Sequence, residues 1–152
     1  MEAIVLCGVQ GSGKTTLYRE RFIETHVRVS MDLLRTRRRE AALLDWCLRE
    51  RQRFVVDNTN PTAAERRRYV EPAREADFKL IGYLVEVDPQ VALGRNAERE
   101  SGRRVPAIGV AATSRRLIRP APEEGFDELW HATAAPGGAW QIEPLVTTPP
   151  LF

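Results

Sequence analysis

The sequence predicts an α/β protein in three layers, a parallel sheet flanked by helices on both faces, and three observations lead there. Short continuous apolar runs, AIVLC (3–7), RFVVD (53–57) and FKLIGYLVEV (78–87), read as strands buried on both faces. They alternate with helical stretches of roughly 10 to 20 residues, as crossover connections between parallel strands require. The octapeptide GVQGSGKT (8–15) sits between the first apolar run and the first helical stretch. A glycine loop placed there belongs at the carboxyl end of a strand, where open α/β sheets bind their ligands.

Taken in order, Ala3–Cys7 is the first strand, and a helix follows from about Gly13 to Glu24. Val27–Ser30 alternates and is strand-like. From Met31 to about Arg51, Leu33, Leu34, Leu44, Cys47 and Leu48 recur near a helical period. Arg53–Asp57 is a buried strand. Pro61 suits the first turn of a helix through residues 62–76, which Pro72 should kink or interrupt. Phe78–Val87 is the longest strand candidate, and Pro89 opens a helix to about Glu100. The stretch ESGRRVP (100–106) breaks that helix, and another spans Ala107–Leu117. Residues 120–152, with six prolines and the pair Gly137–Gly138, read mostly as irregular, with a short closing strand near Trp140–Ile142. With no internal repeat or linker, residues 1–152 are expected to form one domain.

Composition narrows the class. At 152 residues and 17.2 kDa, with 43% hydrophobic and 29% charged residues, the chain has enough apolar surface to fold without disulfides or a structural metal. No apolar run approaches the roughly 20 residues needed to span a bilayer, so no membrane partner is expected. The first apolar stretch is too short for a signal-peptide core, so a soluble, cytoplasmic protein is expected. Cys7 and Cys47 form no C-x-x-C pair and are expected to be buried free thiols. Residues 1–119 hold all 23 Lys and Arg against 16 acids, net +7, and residues 120–152 hold five acids and no Lys or Arg, net −5. All but Lys14 and Lys79 of the cations are arginines, which suit a phosphate-bearing substrate or simply a solvated surface.

GVQGSGKT matches G-x-x-x-x-G-K-[ST] at every required position. Glycines let successive backbone N–H groups turn inward around a phosphate, and the following helix points its positive end there. Gly8, Gly11, Ser12, Gly13 and Thr16 would complete the cradle for a nucleotide triphosphate. Lys14 can reach the β- and γ-phosphates, and the Thr15 hydroxyl can ligate Mg²⁺. No N-K-x-D guanine-reading motif is present, which disfavours a GTPase, and the small size disfavours motor-type ATPases.

Asp32 lies just past the second predicted strand, on the rim that carries the glycine loop. A carboxylate there could accept a hydroxyl proton during in-line phosphoryl transfer, or simply cap its helix. Arg35 would share its helical face and could hold a phosphate of the acceptor. Asp57 ends the third strand at a position where a carboxylate can hold a magnesium-bound water, and Asn58 and Asn60 are suited to fixing the rim loops.

Here the sequence resembles the polynucleotide 5′-kinases, specifically the kinase domain of the polynucleotide kinase–phosphatases of nucleic-acid repair. The likeness covers roughly residues 3–130 and rests on GVQGSGKTT, MDLLR, VVDNTNPTAAERRRYV, GRNAERESGRRVP and PAPEEGFDELW. The segment Asp57–Val70 is the most specific piece. The resemblance implies a P-loop kinase fold with an arginine-bearing lid at about residues 95–119. It implies ATP and Mg²⁺ held by Lys14 and Thr15, Asp32 as the base for a 5′-hydroxyl DNA or RNA end, and Arg35 on the acceptor's neighbouring phosphate. Arg99 corresponds to a lid arginine that closes on the ATP phosphates, and Arg103 or Arg104 to a second. Met31 departs from the aromatic residue or Arg that often precedes the catalytic Asp, which bears on acceptor preference. Without phosphatase or ligase sequence, a stand-alone kinase is expected. A phosphatase or ligase on another chain is a conceivable partner that no residue here supports.

The runs RTRRR (35–39) and ERRRY (65–69) could attract a nucleic-acid backbone or form a solvated helix face. His26 and His131 are isolated, and core packing is the favoured role of Trp46, Trp130 and Trp140. The sequence therefore points to an ATP-dependent polynucleotide 5′-kinase. The alternatives are a P-loop kinase of a small hydroxyl acceptor (a sugar acid, nucleoside, antibiotic or toxin-type substrate) and a nucleotide-binding regulatory module with no acceptor.

Overall fold

A computed structural model describes residues 1–87, 107–134 and 139–146. Along the chain these form β1 (Glu2–Cys7), α1 (Lys14–Arg21), β2 (Val27–Val29), α2 (Met31–Leu34), α3 (Arg37–Arg49), β3 (Phe54–Asp57), α4 (Ala63–Glu75), β4 (Lys79–Glu86), α5 (Ala107–Arg116), a 3-10 turn (Pro122–Glu124), β5 (Glu128–Ala134) and β6 (Trp140–Pro144). The strands form one sheet in the order β2-β3-β1-β4-β5-β6. The first five are parallel, and β6 runs antiparallel to β5. The three-layer α/β arrangement is the one expected, apart from the antiparallel edge.

Alternation along the strands divides the core in two. Ala3, Val5, Cys7, Phe54, Val56, Leu80 and Leu84 face one side, where Leu44 and Cys47 of α3 and Tyr69, Val70 and Ala73 of α4 cover them. Ile4, Leu6, Val55, Ile81 and Val85 face the other, beneath Leu17 and Tyr18 of α1. Each fully buried aliphatic side chain contributes roughly 1.5–3 kcal/mol, which offsets the entropy of ordering these short elements.

Several elements differ from expectation. The helical stretch Met31–Arg51 is two helices: Arg35 turns left-handed at φ 72°, and the Thr36 side chain accepts a bond from Arg39 N to cap α3. Asp32 and Arg35 therefore do not share one continuous helical face. Pro72 neither ends nor interrupts α4, which continues to Glu75. The carbonyl it leaves without an N–H partner belongs to Arg68, an exposed residue, where water can satisfy it. In residues 120–152 the expected closing strand is present, but β5 lies there too. Its sequence, ELWHATA, with a glutamate and two alanines among its seven residues, gives a weak strand signal, and the segment is a strand by pairing with β4 on one side and β6 on the other. Trp130 and Trp140 pack against the α1-side core, whereas Trp46 is 43% exposed on α3. The helix predicted from Pro89 to Glu100 lies outside the described residues.

Of the consecutive arginines 66–68, Arg67 and Arg68 are exposed but Arg66 is fully buried. Its guanidinium donates to both carboxylate oxygens of Glu124 (2.7 and 2.9 Å) and to the Asn60 carbonyl (2.8 Å). Glu124 also accepts from Ala121 N at 3.0 Å, so one carboxylate fastens the 3-10 turn to α4. A buried bidentate pair of this kind is costly to break from one side. Glu124→Ala is expected to lower unfolding free energy by about 3–5 kcal/mol, measured by denaturant titration. Cys7 and Cys47 are buried free thiols, and burial pushes them to about 12 and about 11 respectively. A thiol reagent at neutral pH should leave both unmodified in the native protein and titrate both after denaturation.

Candidate phosphate-binding site

The site lies on the rim formed by the carboxyl ends of β1, β3 and β2, where the direction of strand order reverses beside β1. The loop between β1 and α1 needs its glycines. A Cβ on Gly8 would lie 2.5 Å from the Val85 carbonyl oxygen and 2.7 Å from Ser12 Oγ. Gly11 and Gly13 have φ of 81° and 104°, which side chains disfavour. Gly13 is the N-cap of α1, so the loop delivers its backbone N–H groups to the positive end of that helix.

Lys14 is buried and folds back into the loop, donating to the carbonyls of Gly8 and Val9 at 2.8 Å each. Ser12 is also buried, while Thr16 on the outer side of α1 is exposed. The Thr15 hydroxyl donates to Asp57 Oδ2 at 2.8 Å. A hydroxyl whose proton points at a carboxylate turns its lone pairs toward positive charge, so Thr15 and Asp57 suit a divalent metal. The loop is braced from α5 by Gln10 Nε2 donating to Thr113 Oγ1 at 3.3 Å.

Asp32 sits exposed in the first turn of α2, and Arg35 is exposed just past its end. β3 lies between β2 and β1, so the strand that leads to Asp32 is two strand spacings, about 10 Å, from the strand that leads to the glycine loop. That gap can hold a transferring phosphoryl group and an incoming hydroxyl. Arg99, Arg103 and Arg104 lie outside the described residues.

Asn58 Oδ1 accepts from the Met31 backbone N–H at 2.9 Å, which fixes the start of α2. Its amide donates to buried Glu40 (3.0 Å) and to the Tyr69 hydroxyl (3.1 Å). Tyr69 in turn donates to Glu40 at 3.0 Å, and Arg37 donates to both Glu40 (2.7 Å) and Tyr69 (3.1 Å). Asn60 donates to the Leu6 carbonyl at 2.8 Å. Both asparagines thus fix the rim loops, as their residue type suggests.

Sequence reasoning missed Arg28 of β2. Its Nε donates to Asp57 Oδ2 at 2.8 Å, and Nη2 approaches Thr15 Oγ1 at 3.4 Å. A signal was present: an arginine alternating between two valines in a strand of a covered sheet must point its charge somewhere specific. The network partners Glu40 and Tyr69 had no such signal, because a Glu and a Tyr on amphipathic helices are ordinary. Neither histidine joins the site. His26 is buried before β2, paired with Glu2 at 2.8 Å, and burial holds its pKa below the usual value.

A family model described as an AAA domain matches residues 4–120. Among curated proteins, the chain is similar to the bifunctional polynucleotide phosphatase/kinase of Schizosaccharomyces pombe, 28% identical over 132 residues, covering 84% of this chain and 32% of that protein. The resemblance drawn from the motifs is borne out by this similarity. The chain spans about a third of the length of the curated relatives it matches. Among solved structures, Chaetomium thermophilum Kti12 in complex with ADP-AlF3 superposes with a TM-score of 0.66 at 19% identity, covering 86% of this chain and 88% of that one. A gluconokinase from Sinorhizobium meliloti 1021 gives 0.59 at 17% identity, covering 88% and 83%. These structures share the P-loop fold. Among the described residues no helix is long and apolar enough to cross a membrane.

Gly8→Ala forces either the Val85 carbonyl or Ser12 out of place. It is expected to weaken binding of a fluorescent ATP analogue by about tenfold or more while costing about 1–3 kcal/mol of stability, checked by titration and thermal melting.

Proposed function

The chain belongs to the AAA domain family, and from that premise we propose that it is an ATP-dependent kinase that phosphorylates the 5′-hydroxyl end of DNA or RNA. One observation carries the reading: the phosphate loop, the Thr15–Asp57 pair and the exposed Asp32 carboxylate emerge on one sheet rim, at the ends of β1, β3 and β2. That is the minimum set for in-line phosphoryl transfer: a donor cradle, a metal position and a carboxylate on the acceptor side. The similarity to a polynucleotide phosphatase/kinase supports the nucleic-acid acceptor.

In this reading Gly8–Thr15 hold the β- and γ-phosphates of ATP through backbone N–H groups, and Lys14 exchanges its carbonyl bonds for phosphate oxygens. Thr15 and Asp57 would hold Mg²⁺ together with oxygens of the nucleotide. Among the described residues no three His, Cys, Asp or Glu side chains converge as a cage of their own. Bound Mg²⁺ would neutralise charge on the transferring phosphoryl group. Asp32 aligns the 5′-hydroxyl and accepts its proton, while Arg35 holds the adjacent phosphate of the strand. Arg99, with Arg103 or Arg104, would supply the lid charge. Catalysis is positioning and charge neutralisation, with no covalent intermediate on the protein.

The test is γ-phosphate transfer from ATP and Mg²⁺ to short 5′-hydroxyl DNA and RNA oligonucleotides, with Asp32→Ala alongside. Transfer is expected in the wild type and about 10²-fold or greater loss in the variant, with ATP affinity nearly unchanged. ATP binding with no transfer to any oligonucleotide would reject the acceptor and direct the search to small hydroxyl compounds. Loss of ATP affinity without loss of turnover would reject Asp32 as the base.

A further inference from the structure

The Arg28 guanidinium lies on the two side chains suited to a divalent cation. Asp57 Oδ2 receives both the Thr15 hydroxyl and Arg28 Nε at 2.8 Å, and Arg28 Nη2 is 3.4 Å from Thr15 Oγ1. The Asp57 side chain is almost wholly buried and that of Arg28 largely so, at 2% and 23% exposed. Screening between them is correspondingly weak. Arg28 reaches this position because β2 pairs with β3 in parallel, with Arg28 opposite Val55 and Asp57 two residues further along. Its side chain thus runs up the α1 face of the sheet to the carboxylate.

We propose that Arg28 is a resident cation of the nucleotide site, sharing Asp57 with the divalent metal. A guanidinium bonded to the carboxylate competes with the metal for the same negative charge, which lowers metal affinity. Because it also touches Thr15, the first helical residue after Lys14, the same guanidinium places a fixed positive charge beside the nucleotide's phosphates. Nucleotide binding in this protein therefore depends less on the metal than the loop alone would dictate, and the metal is recruited mainly once phosphates are present. This inference rests on the reading of Thr15 and Asp57 as the metal side of the site.

The experiment titrates Mg²⁺ into the protein with a fluorescent ATP analogue, and separately measures analogue affinity in EDTA. It compares wild type, Arg28→Met, Arg28→Lys and Asp57→Asn, with melting temperature recorded for each. Arg28→Met is expected to lower the Mg²⁺ concentration at half-effect by about fivefold or more and to weaken binding in EDTA by a similar factor, since one close charge is removed. Arg28→Lys keeps the charge and should stay near the wild type in both. Asp57→Asn should raise the Mg²⁺ midpoint. If Arg28→Met melts lower yet leaves the Mg²⁺ midpoint and the EDTA affinity unchanged, Arg28 merely pins the edge strand and the proposal is overturned. Should Arg28→Met fail to fold, a shift of the Arg28→Lys midpoint as large as that expected for Arg28→Met overturns it as well. An unchanged midpoint in Asp57→Asn overturns both the proposal and the metal reading beneath it, whereas a shifted one beside an unmoved Arg28→Met removes the proposal alone.

Discussion

The rim depends on four consecutive residues at the end of β3, each bonded to a different part of it. Asp57 accepts from Thr15 of α1 and Arg28 of β2. Asn58 holds the Met31 N–H at the start of α2. The Thr59 carbonyl accepts from Gly8 N at 3.0 Å, the first residue of the glycine loop. Asn60 donates to Leu6 at the end of β1, and its own carbonyl accepts from buried Arg66. A loop that cradles phosphates and a turn that carries a carboxylate are otherwise separate pieces of chain. This segment sets their spacing.

The wiring is polar and largely buried, so its energetics are asymmetric. Glu40 at 1% exposure, Asn60 and Arg66 would each cost free energy if left without partners, and each partner is itself held. Such a network adds little net stability over an apolar core of equal volume, but it permits one arrangement rather than several. Stability comes instead from the apolar faces beneath, where two layers of side chains clamp short strands. The division of labour suits phosphoryl transfer, which depends on where charges stand more than on covalent chemistry.

Most of this was legible in the sequence wherever a residue type has few uses. The apolar runs before Cys7, before Asp57 and before Glu86 gave their strands. GVQGSGKT gave its loop because glycines at those spacings serve little else. Asp57, Asn58 and Asn60 drew notice as polar residues gathered at a strand end. What stayed hidden depends on tertiary context. Arg35 ends a helix that periodicity alone would continue. Pro72 is tolerated within α4, where the carbonyl it orphans belongs to the exposed residue Arg68. β5 is a strand because β4 offers it an edge. The run Glu65–Tyr69 reads as a solvated helix face or a draw for a nucleic-acid backbone, yet Arg66 within it is fully buried, held by a glutamate 58 residues away.

The central claim is that the Asp57–Asn60 segment holds the two sides of the rim in register, and hydrogen exchange on Asn58→Ala tests it most directly. The account predicts faster exchange of the amides of residues 31–36, with those of residues 8–15 protected as in the wild type, because the bond that anchors α2 is lost while the bonds of Thr59 to Gly8 and of Asn60 to Leu6 remain. Unchanged exchange at residues 31–36, or equal loosening throughout the sheet, would contradict it.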